Sequence, residues 1–306
     1  MATLPSLRQL RYLLALTEHL NFTRAAEASF VSQSTLSAGL KELESTLGVQ
    51  LVERDRQSVA LTAVGQSVAT RARQVLAAAQ DLTDFASAAS RPMQGQLRLG
   101  VIPTIAPFVL PEVMPILRKK FPGLQLALRE DLTAQLMTRL HSRQLDFILI
   151  ALPVETGELH VRPLYADKFW LVGRKDDSAV SGRAIRLNHE WTERLLLLEE
   201  GHCLRDHALQ ACQAAEVGHA EGIEATSLLT LIQMVASGMG VALLPEMALR
   251  HGLIKHLPLQ ARPLAAPAPQ RTIALVTRPT SAHMAAFEAI AQVISAEHTR
   301  RKRNPA

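Results

Sequence analysis

Cysteine is scarce in this chain, with only Cys203 and Cys212, nine positions apart, among 306 residues. Their spacing is not the Cys-x2-Cys spacing of a zinc site. No run reaches the roughly 18 uninterrupted apolar residues of a membrane span, and Arg8, Arg11 and Glu18 interrupt the N-terminus where a signal peptide would be apolar. We therefore expect a cytoplasmic protein, in which a close cysteine pair is reduced, metal-bound or redox-active rather than a static disulfide.

A surplus of positive charge is missing from the first part of the chain. Residues 1–90 carry eight Lys/Arg and eight Asp/Glu, although the whole chain has a net charge of +5. Much of the surplus lies in the basic run at 300–303, and we expect residues 300–306 to be a solvated, disordered tail. A DNA-binding function must therefore rest on local motif geometry and not on bulk charge.

The first 62 residues have the pattern of a helix-turn-helix domain. Leucine-rich helical spacing fills residues 7–20, and Thr23 is expected to cap a short helix over residues 24–30. A second helix is predicted from about Ser34 to Leu47, where the following glycine ends it. The pattern predicts two helices joined by a tight turn, which also fits any small all-α domain.

The second of these helices has two different faces. One carries leucines at steps of four, three and four, and the other is short, polar and basic. A helix in the DNA major groove needs this combination, and the two short strands predicted to follow it would place arginines near phosphates. The residues expected to contact DNA are Ser32, Gln33, Ser34, Thr35, Ser37, Lys41, Arg54 and Arg56.

The segment "FTRAAEASFVSQSTLSAGLKELESTLGVQLVER" closely resembles the N-terminal domain of LysR-type transcriptional regulators. The resemblance covers residues 5–65 and implies a winged helix-turn-helix domain over residues 1–62. It also implies that the protein binds a palindromic site in double-stranded DNA as a dimer. Ser34 departs from the proline that many members have at this position, but serine also suits the start of a helix.

Residues 63–90 are predicted to form a linker helix with a narrow apolar stripe. Its members alternate steps of four and three, as a coiled-coil heptad requires. They are Val68, Ala72, Val75, Ala79, Leu82, Ala86 and Ala89. So narrow a stripe favours one partner helix, although it also fits packing on the chain's own body. In the LysR-type family this segment is the dimerising helix, and "SRPMQGQ" then marks the domain boundary.

Beyond residue 96, short β-rich runs alternate with helical stretches. This alternation predicts an α/β fold of mostly parallel sheets covered by helices, with helices over residues 107–120, 133–142 and 227–237. Ligands in such folds bind at the carboxyl ends of strands, where Thr104, Thr133 and Ser227 occur. Helix capping explains the same three residues equally well.

This region resembles the effector domain of LysR-type regulators. The resemblance implies a two-lobed fold like that of periplasmic binding proteins over residues 93–299. Lobe I would comprise residues 93–166 and 270–299, and lobe II residues 167–267.

The segment around the cysteines is predicted to be a strand that turns at Gly201 and becomes helical by about Arg205. Cys203 would then lie near a helix N-terminus, which stabilises a thiolate, and His202 and Arg205 could add positive charge. Nine helical residues separate the two cysteines by roughly 13 Å. A disulfide needs Cα atoms within about 7 Å, so bond formation would require this segment to unwind.

Four interpretations remain open on these residues alone. The cysteines are buried hydrophobes, metal ligands, a static disulfide, or a redox switch in which peroxide oxidises Cys203 and Cys212 resolves the sulfenic acid.

The sequence "GHCLRDHALQAC" closely resembles the sensing segment of the OxyR family, the hydrogen peroxide-sensing LysR-type activators, and the resemblance extends over nearly the whole chain. It implies that Cys203 is the peroxidatic cysteine and Cys212 the resolving one. By the same resemblance, Thr104, Thr133 and His202 would bind peroxide and Arg271 would stabilise the thiolate. Asp206 would help to hold the segment, in which His207 is a variation.

The expected function is that of a peroxide-responsive transcriptional activator, a homotetramer that acts with RNA polymerase and needs no cofactor or metal. Reaction with peroxide would modify the sensor itself, so the protein would not be an enzyme. One alternative is a LysR-type regulator that senses a small organic effector in the crevice between the lobes. A second alternative is a thiol peroxidase, which leaves residues 1–90 without a role.

Overall fold

The computed structural model describes residues 4–54, 59–90, 93–186, 189–214, 224–266 and 268–303. The chain divides into two compact units, Met1–Ser87 and Ala88–Ala306. Over the described ranges, no helix combines the length and the apolar character that crossing a lipid bilayer requires.

The described part of the first unit contains three helices, a hairpin and the beginning of a long fourth helix. The elements are α1 (Leu7–His19), α2 (Phe22–Ala28), α3 (Gln33–Leu47), β1 (Val52–Arg54), β2 (Val59–Leu61) and α4 (Ala63–Ser90). The two strands pair antiparallel, as the predicted wing requires. Leucines from α1 and α3 meet in the core, where Leu13, Leu16 and Leu36 are fully buried.

Helix α2 begins earlier than predicted. Its cap is Asn21, whose side-chain carbonyl accepts a hydrogen bond from the Arg24 backbone N–H at 3.0 Å. Thr23, predicted as the cap of a helix over 24–30, lies inside the first turn instead, and the helix ends at Ala28. The prediction was wrong because asparagine caps as well as threonine does, and here it comes first along the chain.

Helix α3 begins and ends close to the predicted residues. Ser32 caps it and accepts a hydrogen bond from the Thr35 backbone N–H at 3.2 Å. Gly48 ends it with a positive φ of 68°, a conformation that glycine adopts without strain.

The apolar stripe of α4 is divided between two environments. Ala72 is buried, and Val68 packs against the core of the first unit. Val75 and Leu82, further along, are 48% and 72% exposed. The first half of the stripe therefore covers the chain's own core, and only its later part presents apolar side chains to solvent.

The second unit is built on a seven-stranded sheet within the described residues. Its strands are β3 (Gly95–Val101), β4 (Leu124–Glu130), β5 (Phe147–Leu152), β6 (His160–Arg174), β9 (Ala242–Pro245), β10 (Leu259–Pro263) and β11 (Gln270–Thr277). They follow the order β10-β6-β11-β5-β3-β4, and β9 also pairs with β6. A separate short pair is formed by β7 (Leu197–Leu198) and β8 (Glu224–Ala225).

Helices cover this sheet and fill the connections. They are α5 (Ala106–Lys120), α6 (Thr133–His141), α7 (His189–Thr192), α8 (Cys203–Ala214), α9 (Leu228–Ala236), α10 (Glu246–Arg250) and α11 (Met284–Arg303), with a 3-10 turn at Ser178–Val180. The predicted helices over 107–120, 133–142 and 227–237 correspond to α5, α6 and α9. The core between sheet and helices includes the fully buried rings of Phe147, Phe169 and Phe287.

The sheet is mixed, and the prediction of mostly parallel sheets was wrong. β3 runs parallel to β4 and β5, because α5 and α6 carry the chain back across the sheet between these strands. β11 pairs antiparallel with both β5 and β6, and β9 and β10 pair antiparallel with β6. The long strand β6 pairs with β11 as far as Lys168 and with β9 from Phe169 onward, so it links β11 and β9 within one sheet.

The C-terminus is more ordered than predicted. Helix α11 continues through Arg303, so residues 300–303 are not a disordered tail. Arg300 forms an ion pair with Glu297 one turn earlier, and Arg301 forms one with Glu112 of α5 at 2.6 Å. Acidic partners on α11 itself and on α5 thus hold Arg300 and Arg301. Residues 304–306 lie outside the described part.

Candidate thiol site and DNA-binding surface

Cys203 is the first residue of α8, at the point where the chain leaves β7 through a tight turn. Gly201 makes this turn with a φ of 92°, where a side chain would be strained and close to Leu132. Cys203 is a free thiol, half-buried, and it packs against the core of the second unit. The local sequence therefore positions one thiol at the edge of a buried region.

Burial raises the pKa of the Cys203 thiol above its ordinary value. The charge of Arg271 and the nearby hydroxyls of Thr104 and Thr133 oppose this effect, while the carboxylate of Asp206 adds to it. Burial is the largest of these effects, and it outweighs the groups that favour the thiolate. A sequence shows which residues flank the thiol but not how far water is excluded from it.

Arg271 is the positive charge at this site, and it is fully buried on β11. Its Nε donates to Asp167 Oδ2 at 3.0 Å, and Asp167 lies directly opposite on β6. Its Nη1 donates to Thr104 Oγ1 at 2.8 Å, and its Nη2 donates to the Thr104 carbonyl at 3.1 Å. Asp167 Oδ1 accepts from the Met247 backbone N–H at 3.0 Å, so both members of the ion pair are hydrogen-bonded on more than one side.

The two threonines come from different elements and converge on the thiol. Thr104 follows β3, and because Arg271 occupies a lone pair of its oxygen, its hydroxyl proton remains available to the sulfur. Thr133 is the first residue of α6, and its hydroxyl is buried without a full hydrogen-bond partner among the described groups. A buried hydroxyl in this state is a place for a small polar molecule, because an unpaired buried donor or acceptor is costly.

The two flanking residues do not add positive charge. His202 is buried, and burial lowers the pKa of its imidazole, so the ring is neutral at neutral pH. Arg205 is paired with Glu224 at 2.7 Å. The expected electrostatic support from these two side chains is therefore replaced by Arg271, which lies 68 positions from Cys203 in the sequence.

Ser227 caps α9, where its hydroxyl accepts a hydrogen bond from the Thr230 backbone N–H at 3.2 Å. This is the capping role that the sequence left open as the alternative to ligand binding. Cys212 belongs to α8, nine residues after Cys203. Only its backbone is described, and its side chain lies outside the described part.

His207 is a member of the site region that sequence reasoning did not select. It lies one helical turn after Cys203 and is 5% exposed. Neither of its ring nitrogens makes a hydrogen bond with a described group. The signal in the sequence was its i, i+4 spacing from Cys203, which places both residues on one face of a helix.

In the first unit, the polar face of α3 is open to solvent. Ser32, Gln33, Ser34 and Thr35 are exposed at its N-terminal end, and Lys41 is exposed further along. The opposite face carries Leu36, Leu40 and Leu43, which are fully buried. The side chain of Arg54 and the whole of Arg56 lie outside the described part.

Comparison with known proteins identifies both units. The model of the bacterial regulatory helix-turn-helix protein, lysR family, matches residues 7–66, and the model of the LysR substrate binding domain matches residues 90–298. The chain belongs to the LysR family of transcriptional regulators. The predicted fold class is thereby confirmed, and this LysR-type regulator is a DNA-binding protein.

Two curated relatives match over nearly the full length of the chain. The HTH-type transcriptional regulator EstR of Acinetobacter baylyi is 45% identical over 96% of this chain and 97% of its own length. The DNA-binding transcriptional dual regulator OxyR of Escherichia coli K12 is 38% identical over 95% of both chains. The regulator is therefore homologous to OxyR, but a relative of higher identity bears a different name.

Two solved structures are also similar over nearly the whole chain. A full-length cysteine-to-aspartate variant of OxyR from Pseudomonas aeruginosa superimposes with a TM-score of 0.76 at 36% identity and covers 95% of both chains. A hydrogen peroxide-bound cysteine-to-serine variant of OxyR from Corynebacterium glutamicum has a TM-score of 0.67 at 30% identity, covering 98% of this chain and 94% of that one.

Proposed function

We propose that this LysR-type regulator is a transcriptional activator that responds to hydrogen peroxide through Cys203. The observation that carries the proposal is the convergence of Arg271, Thr104 and Thr133 on one half-buried thiol. A relative from Streptomyces viridosporus, 41% identical, is named a probable hydrogen peroxide-inducible genes activator. The buried Thr133 hydroxyl, which has no full hydrogen-bond partner among the described groups, offers a hydrogen bond to a molecule as small as peroxide.

The chemistry proceeds in two balanced steps. The Cys203 thiol gives up its proton, the resulting thiolate attacks one oxygen of hydrogen peroxide, and the O–O bond breaks. The sulfur becomes a sulfenic acid, and the departing hydroxide takes up the released proton and leaves as water. The Cys212 thiol then attacks this sulfur, and a second water leaves as the disulfide forms. A cellular dithiol reductant returns both residues to thiols.

The disulfide requires a change in backbone structure. Both cysteines lie in α8, where nine residues correspond to a rise of roughly 13 Å. Because a disulfide needs Cα atoms within about 7 Å, α8 must unwind as the bond forms. This rearrangement changes the contacts of the effector domain. The protein forms dimers through α4, and two such dimers form a tetramer. The changed contacts alter the spacing of the recognition helices on DNA and the contact with RNA polymerase.

The test uses the full-length protein and its Cys203→Ser and Cys212→Ser variants. After treatment with micromolar peroxide, peptide mass spectrometry should find a Cys203–Cys212 bond in the wild type and a sulfenic acid trapped by dimedone in Cys212→Ser. Footprints on the promoter should change with peroxide in the wild type alone. If the wild type forms no such bond and its footprint does not change, this function is wrong.

A second candidate function keeps the family but replaces peroxide with a small organic effector. The 45% identity to a regulator whose name does not refer to peroxide favours it. In that case the Cys203→Ser variant responds to its inducer as the wild type does, and peroxide leaves the footprint unchanged in both proteins.

A further inference from the structure

A buried histidine beside the reactive thiol is not explained by packing alone. We propose that His207 accepts the proton of the Cys203 thiol as this thiol reacts. The inference rests on the proposed function, because it assigns a further residue to the same site and explains how a shielded thiol becomes a nucleophile.

The geometry of α8 places the two side chains on the same side. Residues four apart on a helix lie one above the other, with Cβ atoms about 5–6 Å apart. Both side chains face inward: Cys203 packs on the core, and His207 is 5% exposed with its ring centroid 6.2 Å from that of Phe169. The two side chains make no direct hydrogen bond, and this spacing allows a proton to pass between them through one water molecule.

Arg271 and the two threonines beside the thiol are poor proton acceptors, and the ring of His202 is already engaged by the Thr226 backbone. Arg271 carries a permanent positive charge and is occupied by Asp167 and Thr104. The threonine hydroxyls can stabilise a thiolate by hydrogen bonding, but a neutral hydroxyl does not hold an extra proton near neutral pH. Since burial raises the pKa of the thiol, a base inside the site is needed for rapid reaction near neutral pH.

His207 has the properties that such a base requires. Burial and the charge of Arg271 on β11 lower the pKa of its imidazole, so the ring is neutral and can accept a proton. The Pro153 backbone and the Asp206 carboxylate act in the opposite direction and favour the imidazolium once it has formed. The Pro153 carbonyl approaches at most one ring nitrogen without forming a full hydrogen bond, and the other nitrogen, which has no partner among the described groups, can accept the proton.

Proton transfer within the site also avoids a change in its net charge. A neutral thiol and a neutral imidazole become a thiolate and an imidazolium, whereas loss of the proton to solvent would leave a net negative charge in a region that excludes water. The thiolate then attacks peroxide, and the imidazolium returns the proton to the departing hydroxide, which leaves as water. Overall, one thiol and one hydrogen peroxide give one sulfenic acid and one water.

The experiment compares three full-length proteins that all carry Cys212→Ser, so that Cys203 is the reacting thiol in each. The first has no other change, the second carries His207→Gln, and the third carries His256→Gln as a matched control at an exposed histidine. Stopped-flow measurements give the second-order rate constant of Cys203 with hydrogen peroxide from pH 5.5 to 9. Circular dichroism and thermal unfolding verify that the variants fold.

At pH 7, His207→Gln should react roughly 100-fold more slowly than its parent, the size of effect that general base catalysis supplies. Its rate should rise about tenfold per pH unit, because only free thiolate reacts, whereas the parent should show a plateau once the imidazole is neutral. His256→Gln should match the parent throughout. If His207→Gln stays within twofold of the parent with the same pH profile, the proposal is overturned.

Two further measurements keep this test independent of variant folding and of peroxide itself. If His207→Gln does not fold, the parent alone decides, and a rate that rises tenfold per pH unit over the whole range overturns the proposal. The rate with iodoacetamide, which also reacts with the thiolate, should depend on His207 in the same way. If peroxide does not react but alkylation retains this dependence, the proposed function fails while the role of His207 stands.

Discussion

The buried ion pair between Asp167 and Arg271 should be costly to break by removal of one partner. The substitution Asp167→Asn keeps the shape of the side chain and removes its charge. Arg271 then remains fully buried without an anionic partner. Arginine cannot release its proton at accessible pH values, so the charge stays and its desolvation is no longer offset.

The magnitude follows from the contact. The two groups meet at 3.0 Å, and two unit charges about 4 Å apart interact by roughly 4 kcal/mol at an effective dielectric constant of about 20. Breaking buried pairs of this kind typically costs about 3–5 kcal/mol. With a urea dependence of roughly 2–3 kcal/mol per molar, the unfolding midpoint should fall by about 1.5 M.

The assay can isolate the second unit because both tryptophans, Trp170 and Trp191, lie in it. Urea unfolding of the full-length protein followed by tryptophan fluorescence therefore reports this unit alone. Asp176→Asn is the matched control, because Asp176 also pairs with an arginine but is 68% exposed, so its loss should leave the unfolding midpoint nearly unchanged. If the two variants unfold at the same urea concentration, the reasoning about the buried pair is refuted.

The reverse substitution, Arg271→Met, should behave differently because aspartate can become neutral. Burial already raises the pKa of Asp167, and loss of the arginine removes a charge that opposes this rise. A carboxyl with a raised folded-state pKa contributes stability below its unfolded pKa, and this contribution is lost as the pH rises through the folded pKa. Arg271→Met should therefore be closest to the wild type in acid and become less stable toward neutral pH, as measured by urea unfolding at a series of pH values.

Three further predictions concern other parts of the molecule. In Gly65→Ala the new Cβ would stand 2.1 Å from the Leu51 carbonyl oxygen, so operator binding in an anisotropy titration should be lost while the unfolding transition seen by tryptophan fluorescence is unchanged. In Gly240→Ala the new Cβ would stand 2.2 Å from the Arg194 carbonyl oxygen, so this variant should lower the urea midpoint of the tryptophan transition instead. If both variants change the same signal, the division into two units is contradicted. Ser32→Ala removes the cap of α3, which should cost about 1 kcal/mol of stability and weaken DNA binding. Ser32→Thr should keep the cap and bind DNA more tightly than Ser32→Ala. Equal DNA affinities of the two variants would argue against a capping role of Ser32 in DNA binding. The hydrogen bond from Arg300 lowers the pKa of Glu297, so the contribution of Glu297 to stability is present at neutral pH and lost as the pH falls through the lowered pKa. Glu297→Gln should therefore reduce the loss of unfolding free energy at acid pH, as measured by urea unfolding at a series of pH values. An unchanged acid dependence would show that this pair does not contribute to stability.

Local signals in the sequence were sufficient for the first unit. The leucine period of α3, its serine cap and its terminal glycine are all short-range features, and the helix begins and ends close to where they indicate. The error at Thr23 has the same origin, because two residues with nearly equal capping preference compete within one turn. The heptad spacing of the α4 stripe could not show that its first half packs on the core of the first unit. Packing on the chain's own core and packing on a partner helix both require the same spacing of apolar residues.

The second unit required information that is not local. Antiparallel pairing of β11 with β6 joins residues about 100 positions apart. The prediction of parallel sheets assumed that every strand is followed by a helix that crosses the sheet, which holds for β3 and β4 but not for the strands that pair antiparallel. The pairing of residues 300–303 with Glu297 and Glu112 depends on how α11 packs against α5. Arg271 entered the expected site only through resemblance, because no spacing rule connects it with Cys203.

The thiol site shows most clearly where sequence reasoning stops. A cysteine at a helix N-terminus between a histidine and an arginine suggests an acidic thiol. In the folded protein the histidine is neutral, the arginine is paired with Glu224, and burial raises the pKa of the thiol. Reactivity must then come from groups that the fold brings to the sulfur from β11, β3 and α6. Arg271 acts to lower the pKa of the thiol and also binds Asp167 across the sheet, so the ion pair that joins β6 to β11 lies beside Cys203.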